Sequence, residues 1–495
     1  LNGGPGSSSL FGFLQENGPL LINATGGLME NPWSWTKAGA HLLALEAPVG
    51  VGFSYCHTQA TQPGGVCQNS DTDTARATRA ALVDLFTTKF PEWTDKRVFL
   101  TGESYAGVYT PTLAKELLDH ETSSGLINLV GLAVGDPCTD MDAQQDSMDS
   151  LWYGHKYGFV DDDIYNVLWN ECNVRHPNHM HFSDNDDDDE KDSILQGNLD
   201  RRDTLDYKCN MAYYKYVLST SGGFSNKWAH PYIDRYSLFA PVTSQQDLDL
   251  QTYLSRPDVR RALHVEEAPI DSWQRKSPGF SYTKEYNACN HDADDDAPSM
   301  IPFYQDIVPR LVVTWVFNGD TDPCVSYEGT RTAVKRMGFD ELDGGSYRPW
   351  FYNQTAAPAQ IMMEKAPMFG PNLVLQNMGP QLAGHVVNYE QGLAFMTVHG
   401  SGHMVPQFRP QAAWHMIQRL VQHGHDKSAA APSHDEMHLL SPLMPTNDTL
   451  RALDWNEFAD IMNEWTEVAM SPPFVTPVES VSKALKEQSL QAETK

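Results

Sequence analysis

Short apolar runs that end in glycine-rich turns recur along the chain. They cover residues 41–45, 98–100, 129–134, 311–317 and 393–398. Each run is apolar on both faces, which is typical of strands buried in a largely parallel sheet. Between the runs, apolar residues at helical spacing predict helices over 74–90, 112–120 and 411–421. The alternation predicts an α/β fold with a mostly parallel sheet and helices on both of its faces.

Residues 150–304 have a different pattern and divide the predicted core into two parts. This stretch is rich in Tyr, Trp, Asp and Asn and has few clear strand runs, so we expect an inserted cap domain. The core would then comprise residues 1–149 and 305–425. Residues 426–495 are predicted to be a polar tail with one helical stretch. Residues 341–385, rich in Gly, Pro and Met, are predicted to be an insertion near the active-site face.

Two segments of the predicted cap contain residue types that bind metals. Residues 184–190 are almost purely acidic, but Asp189 and Leu195 occupy positions where a calcium-binding loop needs glycine and glutamate. The three nearby histidines lie beside Pro177 in apparent loop sequence and are His176, His179 and His181. We expect solvated loops in both segments, and we predict no metal and no cofactor.

Charge and cysteine content narrow the classes of function. The 495-residue chain has 64 acidic and 35 basic residues, a net charge of −29. Such a surface repels phosphate backbones and anionic membranes, so we expect no nucleic-acid partner. The chain has no run of 18 apolar residues, so no membrane span is predicted. Seven cysteines and sequons at Asn23, Asn353 and Asn447 favour the secretory pathway, either vacuolar or lysosomal or extracellular.

Ser104 is the candidate nucleophile, within the sequence Gly-Glu-Ser-Tyr-Ala-Gly at 102–107. The motif follows a predicted strand and precedes a predicted helix. Small residues that flank a serine allow a sharp strand-to-helix turn, which presents the hydroxyl in a cleft. A serine nucleophile needs a base, and the base needs a group that orients it.

Two later strand ends offer an acid and then a histidine, the order found in α/β-hydrolases. Asp320 and Asp322 follow the run 311–317, while His399 and His403 follow the run 393–398. Three catalytic residue types at three strand ends are far more specific than any single motif. Spacing alone leaves both the choice of aspartate and the choice of histidine open.

Six sequence blocks point to a known family. They are residues 2–6, 31–35, 46–55, 102–107, 318–322 and 402–406. Together they resemble the serine carboxypeptidase family, of the carboxypeptidase Y and cathepsin A kind, which has the α/β-hydrolase fold. The blocks extend from residue 1 to about residue 412. The resemblance implies an enzyme that releases C-terminal residues from peptides and proteins through an acyl-enzyme intermediate.

The resemblance also implies the catalytic residues. The second aspartate of Gly-Asp-x-Asp is the triad member, and the histidine before x-Val-Pro is the base, which favours Asp322 and His403 beside Ser104. Asp320 is then expected to stabilise its turn, and His399 to be a packed or surface residue. The backbone N–H groups of Gly4 and Tyr105 would form the oxyanion hole.

Substrate binding follows from the same resemblance. Asn2, Gly3 and Glu103, backed by Glu16, would bind the free carboxylate of the substrate. Carboxyl groups in contact favour sharing a proton, which raises their apparent pKa, so binding should be tightest at acid pH. Met404 is expected to add apolar surface to the pocket for the leaving residue, with core packing as the alternative role.

The chain departs from the family pattern in two places. Ser7 occupies a position where the family usually has cysteine, and Cys289 is the nearest match to the partner of that cysteine. We therefore expect Cys289 to be unpaired and one crosslink between core and cap to be lost. The family also has strands before the segment that begins at Leu1, so the sheet is expected to lack its first strands.

Two other functions share these residues. An acyltransferase that moves an acyl group from a sugar ester to an alcohol would use the same triad, although Asn2 and Glu103 favour peptides. A catalytically inactive, stabilising subunit is the other alternative, and an intact triad argues against it. The expected partners are peptide or protein C-termini, and homodimer formation is left open.

Overall fold

The computed structural model describes most of the chain, with several gaps. The described residues are 1–22, 26–62, 64–174, 207–220, 236–238, 245–275, 280–289, 293, 296–342, 347–354 and 379–423. The acidic run 184–190, the three histidines beside it and the tail 426–495 lie outside them, as do the sequons at Asn23 and Asn447. The division of the chain into core, cap and tail remains a prediction.

A six-stranded mixed sheet lies at the centre of the described fold. The described strands are β1 (Leu20–Ile22), β2 (Leu28–Glu30), β3 (Cys67–Ser70), β4 (Val98–Glu103), β5 (Leu129–Gly135), β6 (Phe280–Thr283), β7 (Val313–Gly319), β8 (Arg348–Gln354), β9 (Gly379–Asn388) and β10 (Leu393–Val398). The central sheet has the order β4-β5-β7-β10-β9-β8. Its first four strands are parallel, and β9 and β8 pair antiparallel with their neighbours. A mostly parallel α/β sheet is therefore confirmed.

Four of the five predicted strands are present as β4, β5, β7 and β10. The last three are buried along their whole length, which explains why their sequences are apolar on both faces. The prediction for residues 41–45 is wrong, because no strand forms there. Within the described residues, no strand forms a hydrogen-bonded ladder with this segment, and Leu43 is exposed.

The predicted insertion at 341–385 contains strands of the central sheet as well as loop. β8 and the first part of β9 lie within this range and form the antiparallel edge of the central sheet. Buried side chains hold that edge to the core: Trp350 donates a hydrogen bond to the carbonyl of Thr397 at 3.1 Å. Residues 355–378 lie outside the described part of the chain.

Helices cover both faces of the sheet. The described α-helices are Ser9–Gln15, His57–Thr61, Asp71–Asp84, Ala106–Asp119, Glu121–Ser124, Met141–Gln144, Ser150–Lys156, Asp162–Tyr165, Tyr207–Thr220, Gln245–Leu254, Pro257–Ala262, Ile301–Ile307, Tyr327–Arg336, Val405–Phe408 and Pro410–His423. Short 3-10 helices lie at Trp35–Ala38, Pro91–Trp93, Val308–Arg310 and Glu390–Gly392, and π-helical turns at Leu85–Lys89 and Asn166–Glu171. Within the described residues, no helix combines the length and apolar character that crossing a membrane requires.

Two apolar clusters lie on opposite faces of the central sheet. Along β7, Val316 packs into the cluster that contains helix Ala106–Asp119, while Trp315 packs into the cluster that contains helix Pro410–His423. Successive strand residues point to opposite faces, so one apolar run supplies both clusters. The sheet is therefore packed between helix Ala106–Asp119 on one face and helix Pro410–His423 on the other, and this packing holds its strand ends in place.

The disulfide pattern corrects the expectation for Cys289. Cys289 pairs with Cys138, their Cα atoms being 4.8 Å apart, and the cysteine outside the three disulfides is Cys324, which is buried. The other disulfides are Cys56–Cys67 and Cys172–Cys209. The prediction of an unpaired Cys289 is wrong because Cys138, three residues after β5, lies within disulfide distance of it. A crosslink therefore does join residues 1–149 to residues 150–304.

Candidate active site

Three loops at one edge of the central sheet carry the predicted triad. Ser104 follows β4, Asp322 follows β7 and His403 follows β10. These strands are parallel, so their carboxyl ends lie at the same edge of the sheet. Ser104 and His403 line one pocket, and Asp322 is hydrogen-bonded to His403. The fold thus brings together residues that are up to 299 positions apart in the sequence.

Ser104 lies on a sharp turn between β4 and the helix Ala106–Asp119. Its φ is 64°, in the left-handed region, which costs a non-glycine residue about 1–3 kcal/mol. The turn is held on both sides, since the Ser104 N–H donates to the carbonyl of Gly135 at 2.9 Å and the Ser104 carbonyl accepts from Gly107 at 2.8 Å. The backbone that carries the Ser104 side chain is therefore held in a fixed position at the pocket.

Asp322 and His403 form a buried pair behind Ser104. His403 Nδ1 lies 2.7 Å from Asp322 Oδ2, and their side chains are 3% and 0% exposed. Asp322 also accepts hydrogen bonds from the backbone N–H groups of Cys324 at 2.7 Å and Val325 at 3.1 Å. An aspartate that only accepts places the His403 proton on Nδ1. His403 Nε2 is buried and has no hydrogen-bond partner among the described residues, so its lone pair is available for a proton.

The other candidate pair lies apart from the pocket. His399 Nδ1 is 2.8 Å from Asp320 Oδ2, and the side chains are 59% and 23% exposed. Asp320 Oδ1 accepts a hydrogen bond from the Gly400 N–H at 2.6 Å, so this aspartate joins the two loops at the surface. Neither residue lines the pocket that contains Ser104. The structure therefore separates the two aspartates and the two histidines that spacing alone did not distinguish.

Gly3 and Gly4 bring the first loop of the chain against the nucleophile turn. A Cβ atom on Gly3 would lie 2.3 Å from the backbone nitrogen of Tyr105, so only glycine allows this approach. The φ of Gly4 is 115°, which also favours glycine. The buried Tyr105 hydroxyl donates to Asp71 at 2.9 Å, which anchors the Tyr105 side chain. Within the described chain, neither the Gly4 nor the Tyr105 backbone N–H donates a hydrogen bond, which leaves both groups available to an oxyanion.

Asn2, Glu16 and Glu103 form a polar cluster beside Ser104. Asn2 Nδ2 donates to Glu16 Oε1 at 3.2 Å and lies 3.5 Å from Glu103 Oε1. Burial, followed by the charge of Glu16 and a hydrogen bond with it, raises the pKa of Glu103 well above its usual range. Burial also raises the pKa of Glu16. The two carboxyl groups are therefore held close enough to share a proton.

The geometry agrees with what the chain is similar to. A family profile described as serine carboxypeptidase matches residues 1–423. The chain belongs to the serine carboxypeptidase family. It is 29% identical to "Serine carboxypeptidase-like 25" of Arabidopsis thaliana, with 85% of this chain and 80% of that protein covered. It is 28% identical to the lysosomal protective protein of Mus musculus, with 85% of this chain and 83% of that protein covered.

One solved structure supports the fold of this serine carboxypeptidase. It is the crystal structure of Kex1, a prohormone-processing carboxypeptidase from Saccharomyces cerevisiae, with a TM-score of 0.57 and 20% identity. The match covers 84% of this chain and 80% of the Kex1 chain. The α/β-hydrolase fold is therefore confirmed. Membership of the family makes the chain a serine-type carboxypeptidase, a hydrolase of the peptidase class.

Two residues of the carboxypeptidase pocket are missed by sequence reasoning. Tyr236 and Arg275 line the pocket with Ser104 and His403. The Tyr236 carbonyl accepts from the His403 N–H at 2.7 Å, and its ring stacks on the imidazole at 5.6 Å between centroids. The positive charge of Arg275 lowers the pKa of Glu103 against the larger effect of burial. Both residues come from the predicted cap, where no motif marks them.

Two further expectations concern Met404 and metals. Met404 is 7% exposed and packs in an apolar cluster with Phe11 and Trp273, and it is not among the residues that line the pocket.

Within the described residues, Asp322, Cys324 and His403 have metal-type spacing, with ligand atoms within 4.8 Å of one another. Asp322 and His403 are already hydrogen-bonded to each other, so a metal there would compete with the triad.

Proposed function

We propose that this carboxypeptidase removes single C-terminal residues from peptides and proteins at acid pH through an acyl-enzyme intermediate. The observation that carries the proposal is that the buried Asp322–His403 pair and the buried Glu16–Glu103 pair both reach the pocket of Ser104, the first through His403 and the second through Glu103. The Asp322–His403 pair activates Ser104 as the nucleophile. The Glu16–Glu103 pair offers a hydrogen-bond donor to the free carboxylate of the substrate. Because this donor lies close to Ser104, it selects the last peptide bond of a chain.

Binding begins with the substrate carboxylate. Asn2 Nδ2 and the Gly3 backbone would donate hydrogen bonds to it, and a protonated Glu103 would donate another. Glu16 accepts from Asn2 and keeps the amide turned toward Glu103. The raised pKa of Glu103 keeps it neutral in mildly acidic solution, so no second charge faces the substrate.

Acylation follows from the position of His403. The Ser104 oxygen attacks the carbonyl carbon of the last peptide bond, and its proton passes to His403 Nε2. The negative charge that develops on the carbonyl oxygen accepts hydrogen bonds from the N–H groups of Gly4 and Tyr105. The intermediate then collapses: the C–N bond breaks, His403 gives its proton to the leaving amine, and the free amino acid departs.

Deacylation repeats these steps with water as the nucleophile. His403 takes a proton from water, the hydroxide adds to the ester carbonyl, and the bond from that carbonyl to the Ser104 oxygen breaks. His403 then returns the proton to Ser104. Asp322 accepts from Nδ1 throughout, which stabilises the charged imidazole each time it forms.

The test is the turnover of an N-blocked dipeptide at pH about 5 by the Ser104→Ala variant. We expect kcat to fall by about 10⁶-fold, because the acyl-enzyme can no longer form. Ser124→Ala, at an exposed serine, is the matched control and should retain full activity. Unchanged turnover in Ser104→Ala would refute the assignment. Acyl transfer from a glucose ester to an alcohol, without peptide hydrolysis, would instead favour an acyltransferase.

The compartment proposed for the enzyme is the secretory pathway, with the vacuole or lysosome or the extracellular space as its destination. Three disulfides support an oxidising environment. The relative from Mus musculus is named a lysosomal protective protein, and a low luminal pH would suit a pocket that works with a protonated Glu103. Disulfide mapping and fractionation of the native protein would test this.

A further inference from the structure

A second buried carboxyl group lies behind the proposed triad. Asp136 directly follows β5, and its side chain is fully buried. Its Oδ1 accepts hydrogen bonds from the Gly319 N–H at 2.9 Å and from Asn318 Nδ2 at 3.2 Å. The Asp136 N–H donates to the carbonyl of Phe317 at 2.7 Å. These contacts fix Asp136 against the end of β7, three residues before Asp322.

The other oxygen of Asp136 has no donor. Oδ2 is buried and receives no hydrogen bond from any described residue. The Asp136 side chain is in hydrogen-bonding contact with the carboxyl group of Asp322, which has no proton to donate as a carboxylate, and because Oδ1 already accepts from Gly319 and Asn318, Oδ2 is the oxygen left for that contact. Asp322 in turn accepts from His403, Cys324 and Val325 and donates nothing. Two carboxyl oxygens that face each other in a buried site repel unless one of them carries a proton.

The surrounding contacts decide which group is protonated. Asp322 is stabilised as a carboxylate by three donors, one of them the His403 imidazole. Asp136 accepts only through Oδ1 and lies in a fully buried position. Burial, followed by the negative charge of Asp322, raises the pKa of Asp136 well above its usual range. The proton therefore belongs on Asp136 Oδ2, where it points at Asp322.

We propose that Asp136 is a neutral carboxylic acid that donates a hydrogen bond from Oδ2 to Asp322 and thereby holds the carboxylate that orients His403. The proposal rests on the proposed catalytic role of Ser104, Asp322 and His403. Asp136 contacts neither substrate nor nucleophile and is a positioning residue. Its hydrogen bond keeps a single negative charge behind the imidazole and fixes the plane of the Asp322 carboxylate.

The pH dependence of this contact involves a small set of groups. Asp322 contacts Asp136 from the loop after β7 and is itself bonded to His403 of the loop after β10, and Glu103 contributes negative charge from the end of β4. Ionisation of Asp136 at high pH would place a second charge beside Asp322 and remove the donor. A decline of kcat at alkaline pH is therefore expected, in addition to any titration of Glu103 that acts on substrate binding.

Two variants at one position test the proposal. Asp136→Asn retains an acceptor at Oδ1 and supplies an N–H donor toward Asp322, whereas Asp136→Ala removes both. The readouts are kcat for an N-blocked dipeptide and the rate at which an organophosphonate fluorophore labels Ser104. We expect Asp136→Ala to lower both rates at least tenfold with unchanged KM. Asp136→Asn should keep both within about threefold, with the alkaline decline of kcat abolished.

The pH at which kcat falls on the acid side of its pH profile, the acid limb, provides the decisive comparison. Because Asn replaces a neutral acid, Asp136→Asn should leave the acid limb at the same pH as in the wild type. If Asp136 is instead ionised, the substitution removes a negative charge near His403 and moves the limb to lower pH, which overturns the proposal. Equal labelling rates for wild type and a folded Asp136→Ala would also overturn it. A wild type that the fluorophore does not label refutes the proposed function itself.

Should Asp136→Ala fail to fold, as judged by circular dichroism and thermal unfolding, the pH profile of Asp136→Asn still decides the question. A carboxyl group that only supported the turn through Oδ1 would tolerate asparagine equally well. Such a structural role would nevertheless leave the alkaline decline of kcat in place. Retention of that decline in Asp136→Asn would therefore overturn the proposal.

Discussion

The molecule contains two Asp–His pairs built from the same two loops. Asp322–His403 and Asp320–His399 are separated by 81 and 79 positions in the sequence, and their nitrogen-to-oxygen distances are 2.7 and 2.8 Å. They differ in burial: the side chains of the first pair are 0% and 3% exposed, and those of the second are 23% and 59% exposed. Geometry within the pair therefore does not distinguish the proposed catalytic pair from the other.

The surroundings of each pair make the difference. Water competes for both partners of an exposed pair, so their hydrogen bond contributes little and holds the imidazole loosely. In the buried pair, backbone donors fix Asp322, the ring of Tyr236 stacks on His403, and Ser104 lies in the same pocket as the imidazole. Both pairs connect the same two loops, but only the buried pair holds its imidazole in the single orientation that a general base requires.

The largest expected effect comes from removing the charge of each aspartate in turn. Asp322→Asn should lower kcat by about 10⁴-fold, because an amide would hold the imidazole in the wrong tautomer. Asp320→Asn should leave kcat within about twofold, as is usual for changes at a partly exposed site. Steady-state hydrolysis of an N-blocked dipeptide at pH about 5 measures both. If kcat fell by a similar factor in the two variants, burial would not distinguish the catalytic pair from the other pair.

A second buried pair extends the comparison from the base to substrate binding. The pKa of Glu103 is raised by burial and by Glu16, so its protonated form, which can donate to a substrate carboxylate, is present below that raised pKa. As pH rises through it, KM of the wild type should increase by up to about tenfold per pH unit, since one proton is lost. In Glu103→Gln, where an amide donor does not titrate, KM should stay nearly constant with pH.

The matched control is Glu92→Gln, at an exposed glutamate outside the pocket. It should show the same rise of KM with pH as the wild type. A KM that still rises with pH in Glu103→Gln would remove Glu103 from carboxylate binding. A large fall in kcat with constant KM would assign it to the chemical step instead.

Sequence reasoning located the site through strand ends. The apolar runs before Ser104, before Asp320 and Asp322 and before His399 and His403 place these residues at one sheet edge, and the structure has the corresponding strands. Spacing did not choose between the pairs, because burial depends on what packs over each loop. Asp136 also follows a predicted strand, but its partner, Asp322, is 186 positions away in the sequence.

Other features required contacts that a single sequence does not contain. Arg275 and Tyr236 reach the pocket from a region without clear periodicity. Cys289 was predicted to be unpaired because its expected partner position is Ser7, whereas Cys138 lies close enough to bond it. The edge strands β8 and β9 were missed because residues 341–385 resemble loop in composition. Long-range proximity, rather than local propensity, decides each of these cases.

The smallest expected effect concerns the exposed pair and is a change in stability rather than in activity. The hydrogen bond to Asp320 raises the pKa of His399. This stabilisation is fully present below the unfolded-state value of about 6.5 and is lost as pH rises through the higher folded-state value. For a pair this exposed we expect a free energy of about 0.2–1 kcal/mol.

His399→Gln should therefore lower the free energy of unfolding at pH about 5 and leave it nearly unchanged at pH about 9, where the wild-type contribution has gone. Urea titrations at the two pH values measure the difference, and kcat at pH about 5 should be unaffected. His57→Gln is the control, because His57 is exposed and forms no ion pair within the described chain. A loss of stability equal at both pH values would mean that His399 acts by packing. A loss of activity would mean that the exposed pair is not separate from catalysis after all.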